Sequence, residues 1–105
     1  MTILVTAILT PAAGKADRLQ EILLRHADHV EKHELGCLQY EITVEEKNGG
    51  AFVVREQYMD EAALKEHTES PLMVVLGKAL GDEALLEGAP AAYQTKLVGG
   101  VATRV

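Results

Sequence analysis

Glu56 and His67 have the residue types and spacing to do chemistry. They are an acid and an imidazole 11 positions apart, flanking one strand-to-helix turn within the stretch 51–73. Histidine titrates near neutral pH and is well suited to take a proton from an activated carbon acid. A carboxylate beside it orients the ring and stabilises the charge it acquires. Glu56 shares a strand parity with Phe52, Val54 and Tyr58, so it interrupts an apolar face. An ionised carboxylate there needs a partner or a wet cavity. The hydroxyls of Tyr58 and Tyr40 can donate to a developing enolate oxygen. Phe52, Met73 and Leu76 can supply the apolar wall of a small-molecule pocket. A structural alternative stays open: Glu56 pairs with Lys65 or another base at a subunit seam, His67 caps its helix, and both tyrosines are core or interface residues.

Two other groups carry potential chemistry. His26, His29 and His33 fall on adjacent rows of one helical stretch. Helical spacing can build a metal site, but zinc needs three or four converging ligands and no nearby cysteine completes a set. Solvated or boundary histidines are therefore expected, with no metal. Cys37, the single cysteine, cannot form an internal disulfide. It reads as a small buried hydrophobe, because no base in its own motif would activate it.

The elements that must position these residues follow from periodicity. Residues 2–9 are apolar on both parities: Ile3, Val5, Ala7 and Leu9 on one face, Leu4 and Ile8 with Thr2 and Thr6 on the other. Such a strand needs cover on both faces. Leaving Leu4 and Ile8 wet forgoes ~1.5–3 kcal/mol each, which favours a partner subunit. Pro11 and Gly14 break the strand. A helix runs from Lys15 to about Glu34 on the stripe Leu19, Ile22, Leu23, Ala27 and Val30, with Gly36 suited to a left-handed cap. Residues 37–46 alternate, Leu38, Tyr40, Ile42 and Val44 against polar partners, and Asn48-Gly49-Gly50 signals a hairpin turn back into strand 51–58. Asp60 caps a short helix bearing His67; Ser70 and Pro71 start another that Gly81 ends. Residues 82–90 read as a loop, 91–98 as a last strand and 99–105 as a tail that packs on a partner.

The chain has 105 residues, 48% of them hydrophobic and 25% charged, with a formal net charge of −6. That predicts one domain with a small core. An acidic balance argues against nucleic acid, which needs Lys and Arg to displace counterions. No apolar run approaches the ~20 residues of a membrane span. The apolar start lacks the basic region of a signal peptide, so the cytoplasm is the expected compartment.

Strand, helix, two strands, a helix pair and a strand make a split βαβ, or ferredoxin-like, α+β arrangement. With that order in place, the motifs resemble the antibiotic biosynthesis monooxygenase (ABM) family of dimeric α+β barrels. Glu34-Leu35-Gly36-Cys37 with Tyr40 resembles its Glu-x-Gly-Cys-x-x-Tyr. Phe52 to Tyr58 resembles its Phe-x-x-x-Glu-x-aromatic strand. Asp60 to His67 resembles its helix ending in histidine, and Ser70 precedes an apolar helix. The resemblance spans residues 2–98. It implies a homodimer whose sheets pack into a barrel, with one pocket per subunit. It also implies either an oxygenase acting on small aromatic or quinol-type substrates with O2 and no cofactor, an isomerase sharing the proton-abstraction step, or a non-catalytic binding or stress-associated dimer. His67 and Glu56 would be catalytic; Tyr58, Tyr40, Phe52, Met73 and Leu76 would bind substrate. Haem-degrading members use a Trp and an iron-ligating His on the third helix. This chain has no Trp, and residues 72–80 contain no His.

Overall fold

The computed structural model describes residues 2–46, 50–101 and 104. The elements are β1 (Ile3–Leu9), α1 (Ala16–His33), β2 (Cys37–Val44), β3 (Phe52–Tyr58), α2 (Glu61–Thr68), α3 (Pro71–Asp82) and β4 (Ala91–Thr95). The strands form one sheet in the order β2-β3-β1-β4, and every neighbouring pair is antiparallel. This is the expected split βαβ arrangement. The expected turn at Asn48-Gly49 and most of the tail 101–105 lie outside the described residues.

Register fixes which side chains face the helices. Ile3, Val5, Ala7 and Leu9 pair with Tyr58, Glu56, Val54 and Phe52. Because directly opposed residues share a face, the inward parity of β1 and the parity that carries Glu56 form one surface. Leu9, Phe52 and Val54 pack there against Leu19, Ile22 and Leu23 of α1, and Leu85 joins them from the loop before β4. A second cluster, Ile3, Tyr58 and Ala63, sits under α2. Full burial of an apolar side chain such as Leu19 or Leu23 contributes ~1.5–3 kcal/mol. The opposite face carries Leu4, Thr6 and Ile8, all half-buried, with Tyr93 exposed opposite Thr6.

The helix starts follow their caps. The Asp60 carboxylate accepts from the Ala63 amide, and the Ser70 hydroxyl accepts from the Leu72 and Met73 amides ahead of Pro71. Four details differ from the sequence reading. A register shift between Cys37 and Gln39 flips the strand parity, so Cys37 rather than Leu38 lies opposite Tyr58, and Leu38 is exposed. Gly36 is not in the left-handed region; it is glycine because a Cβ there would stand 2.6 Å from Ala63 Cβ. The third helix passes Gly81 to Asp82, and the left-handed residue is Ala84, with φ 49°. The last strand stops at Thr95, because residues beyond it have no partner in β1, and Leu97 and Val98 are exposed.

Candidate active site

The close approach of Gly36 to Ala63 seats α2 across the connection between α1 and β2. That connection is short and tied: the Cys37 amide donates to the Glu34 carbonyl, and the Met59 amide donates to the Gly36 carbonyl. Glu34 is thereby turned inward beneath α2, where His67 points down from the last turn. Both are almost fully buried, and Glu34 Oε1 lies 2.7 Å from His67 Nδ1. A carboxylate only accepts, so this contact places the imidazole proton on Nδ1. The other ring nitrogen, Nε2, faces Glu56 at 3.7 Å, beyond hydrogen-bond length.

Glu56 enters from β3, opposite Val5 on one side and Tyr40 on the other. The Tyr58 hydroxyl donates a hydrogen bond to its Oε1. Burial pushes the Glu56 carboxyl above the usual range; the Tyr58 hydrogen bond and His67 pull it partly back, while Glu34 adds to the rise. Burial, reinforced by Glu56, raises both Tyr58 and Tyr40, which stay phenols. The ring centroids of Tyr58, Tyr40 and His26 lie 5.3, 5.6 and 5.7 Å from that of His67. The imidazole is therefore held by ring contacts as well as by Glu34.

A cavity of about 250 Å³ opens beside this cluster. Val5, Ala7, Val54 and Glu56 form its floor on the sheet, Tyr40 its side, and Leu64 and His67 its α2 wall. Met73, Leu76 and Leu80 of α3 close it. Of the residues expected at a site, His67, Glu56, Tyr40, Met73 and Leu76 thus line one space. Tyr58 and Phe52 do not. Tyr58 is fully buried behind Glu56 with its hydroxyl committed there. Phe52 packs in the core opposite Leu9, four residues along β3 from Glu56, or about 13 Å at ~3.3 Å per residue.

Two residues of the cluster escaped the sequence reading. Glu34 was visible only as a motif letter, yet it makes the orienting contact expected of Glu56. His26, expected to be solvated or at a boundary, is buried against His67 and Tyr40. Its position midway between Ile22 and Val30, four residues from each, was the available signal. His29 and His33 stay nearer the surface and pair their rings with centroids 4.7 Å apart. Among the described residues, no group of three or more His, Cys, Asp or Glu side chains could hold a metal ion, and no helix is long and apolar enough to cross a membrane.

Residues 2–76 match the family described as antibiotic biosynthesis monooxygenase. A Caulobacter crescentus structure provisionally assigned to antibiotic biosynthesis monooxygenases is 31% identical, with a TM-score of 0.85 over 93% of this chain and 91% of that one. PA3566 from Pseudomonas aeruginosa is 28% identical, with a TM-score of 0.79 over 93% and 95% of the two chains. Rv0793 from Mycobacterium tuberculosis shares the fold at 24% identity, with a TM-score of 0.83 over 97% and 100%. No curated protein matches the chain significantly.

Proposed function

Because this chain belongs to the antibiotic biosynthesis monooxygenase family, we propose that it oxygenates a small quinol-type aromatic substrate, with His67 as the base. Family membership supports monooxygenase-type chemistry in general. The observation that carries the specific reading is the orientation of His67. Glu34 holds the proton on Nδ1, so Nε2 keeps a lone pair beside the cavity, 3.7 Å from Glu56. Nε2 takes a proton from the activated ring CH2 of the substrate's keto tautomer, and the imidazolium is stabilised by Glu34 below and by the Glu56 carboxyl above. Tyr40, kept protonated, donates to the enolate oxygen.

The carbanion then supplies the electrons. One electron passes to O2, the two radicals combine, and the resulting peroxide takes the proton back from His67. Loss of water leaves a carbonyl where a CH2 stood, with one oxygen atom in the product and one in water. The substrate is the only reductant this sequence of steps needs, so it calls for no cofactor. The cavity also bounds the substrate. An engineered cavity of about 150 Å³ holds one benzene ring, so about 250 Å³ suits one or two fused rings. The half-buried apolar residues on the outer face of the sheet support a homodimer closed sheet against sheet.

Oxygen uptake tests the reading. Hydroquinones, naphthalenediols and dihydroxyanthracenones are supplied in turn while dissolved O2 is followed. Uptake with a one- or two-ring substrate, lost in His67→Ala, is the expected result. Turnover without O2 consumption would instead make the protein an isomerase using the same proton abstraction. No turnover of any compound, with unchanged binding in His67→Ala, would sink the catalytic reading.

A further inference from the structure

Loss of water from a substrate hydroperoxide needs an acid as well as a base. Hydroxide is a poor leaving group, and a positioned proton donor contributes ~10²–10⁴-fold to such a step. Among the residues lining the His67 cavity, Tyr40, Glu56, His67 and Thr68 have side chains that can carry a transferable proton. His67 is the base. The Thr68 hydroxyl already donates to the Lys65 carbonyl. Tyr40 serves the enolate oxygen, and burial makes its phenol a weaker acid than usual. Glu56 is left.

We infer that Glu56 is the general acid of the reaction, giving a proton from Oε2 to the departing hydroxide as the O–O bond breaks. This rests on the oxygenase reading and supplies the proton source that its last step needs. Tyr58 decides which oxygen carries that proton. Its hydroxyl donates to Oε1, so a proton on the same carboxyl belongs on Oε2. Oε2 has no hydrogen-bond partner among the described residues, yet it is not sealed: it opens on the cavity. The titratable groups around Glu56 are Tyr58 on its own strand, Tyr40 and Cys37 from β2, His67 from α2 and Glu34 at the end of α1. The cavity residues from β1 and α3 are all apolar. With burial the largest influence, Glu56 holds its proton more firmly than an ordinary carboxyl. The protons balance over a turnover. From the hydroperoxide, His67 Nε2 takes the second hydrogen of the former CH2. The C–H electron pair becomes the second carbon–oxygen bond, the O–O bond breaks, and the hydroxide leaves as water with the Glu56 proton. His67 is then cationic and Glu56 anionic, 3.7 Å apart, and one proton passing between them restores both.

Glu56→Gln keeps the shape and can donate a hydrogen bond but cannot give up a proton. Hydroquinones, naphthalenediols and dihydroxyanthracenones are the probes, with O2 uptake, carbonyl product and free hydroperoxide measured together. The wild type should form one carbonyl product per O2 and release no hydroperoxide. Glu56→Gln should still take up O2 and release hydroperoxide, while carbonyl product forms roughly 10²-fold slower. Glu56→Asp keeps an acid and should recover part of that rate. A second readout needs no turnover: infrared spectra of the resting wild type at neutral pH should show the C=O band of a protonated carboxyl, missing in Glu56→Gln. An absent band in the wild type would overturn the acid. So would carbonyl product at the wild-type rate in Glu56→Gln. O2 uptake and product falling together in that variant, with no hydroperoxide, would limit Glu56 to stabilising the imidazolium. Silence of the wild type itself with every probe would remove the oxygenase reading and the acid with it; in every other outcome the wild type turns over.

Discussion

Glu34 and His67 are 33 residues apart in sequence and 2.7 Å apart across the site, each almost wholly removed from water. The pair fixes the ring tautomer, and the tautomer decides which nitrogen can act as a base. Glu34→Gln keeps the shape but loses the charge that holds Nδ1–H and stabilises the imidazolium. With a responsive quinol, kcat should fall roughly 10²–10⁴-fold while KM changes little, because the contact strengthens only when His67 is charged. Steady-state O2 uptake separates the two constants. A raised KM with kcat intact would show that Glu34 shapes the pocket rather than the base.

Gly36→Ala probes how the site is assembled. The added Cβ meets Ala63 Cβ at 2.6 Å, and that neighbour lies at the start of α2 with little freedom to move. Overpacking of this kind costs ~1–3 kcal/mol. Urea midpoints should drop accordingly, and Ala63→Gly in the same chain should recover part of the loss despite its own helix cost of ~1 kcal/mol. Additive losses in the double variant would mean that the two backbones do not meet there.

His26 makes stability depend on pH in acid. Its folded value is held below the ordinary 6.5, at about 4, chiefly by burial. A depressed group contributes stability that is fully present above the unfolded value and is lost as pH falls through the folded one. The gap corresponds to on the order of 3 kcal/mol. Between pH 7 and 4 the wild type should lose stability more steeply than His26→Phe, measured by denaturant unfolding at each pH. Parallel curves would remove His26 from the acid response.

Much of this fold could be read from residue patterns. The parity of β3 put Glu56 on the buried face, and Asp60 and Ser70 announced two helix starts that the structure retains. What stayed hidden depends on contacts between distant segments. No local pattern shows that Glu34 turns inward, because that follows from Gly36 meeting Ala63. The parity of β2 misled at Leu38, because a bulge leaves alternation intact in the sequence while reversing it in space. Leu85 lies in a segment that reads as loop, yet it is fully buried, its carbonyl accepting from the Ala12 amide at 2.8 Å. His26 stayed hidden although it continues the α1 stripe four residues from Ile22 and from Val30, because a polar residue type masked a core position.

Cys37 should be slow to react. Its thiol is half-buried, donates to the Gln39 carbonyl at 3.3 Å, and is pushed up to about 11, chiefly by burial. At pH 8 the thiolate fraction is then lower than that of a free cysteine by roughly 10²-fold. Iodoacetamide should label the native protein slower by a similar factor than the urea-unfolded chain, with mass spectrometry reading the adduct. Equal rates would show that the strand start opens freely.

The outer face of the sheet should hold two copies together. Leu4, Thr6 and Ile8 of β1 and Val53 of β3 are only half-covered there, and Tyr93 of β4 is 56% exposed. Covering the remaining half of one such aliphatic side chain contributes roughly 1 kcal/mol, doubled by symmetry in a two-fold interface. Ile8 lies on an inner strand of this face, between Val53 of β3 and Ala91 at the start of β4. Ile8→Lys places a charge there that would have to be desolvated in the dimer but stays wet in the monomer. Light scattering should therefore give a dimer for the wild type at micromolar concentration and a folded monomer for Ile8→Lys, with circular dichroism unchanged. If the wild type itself scatters as a monomer, the outer face is not the seam.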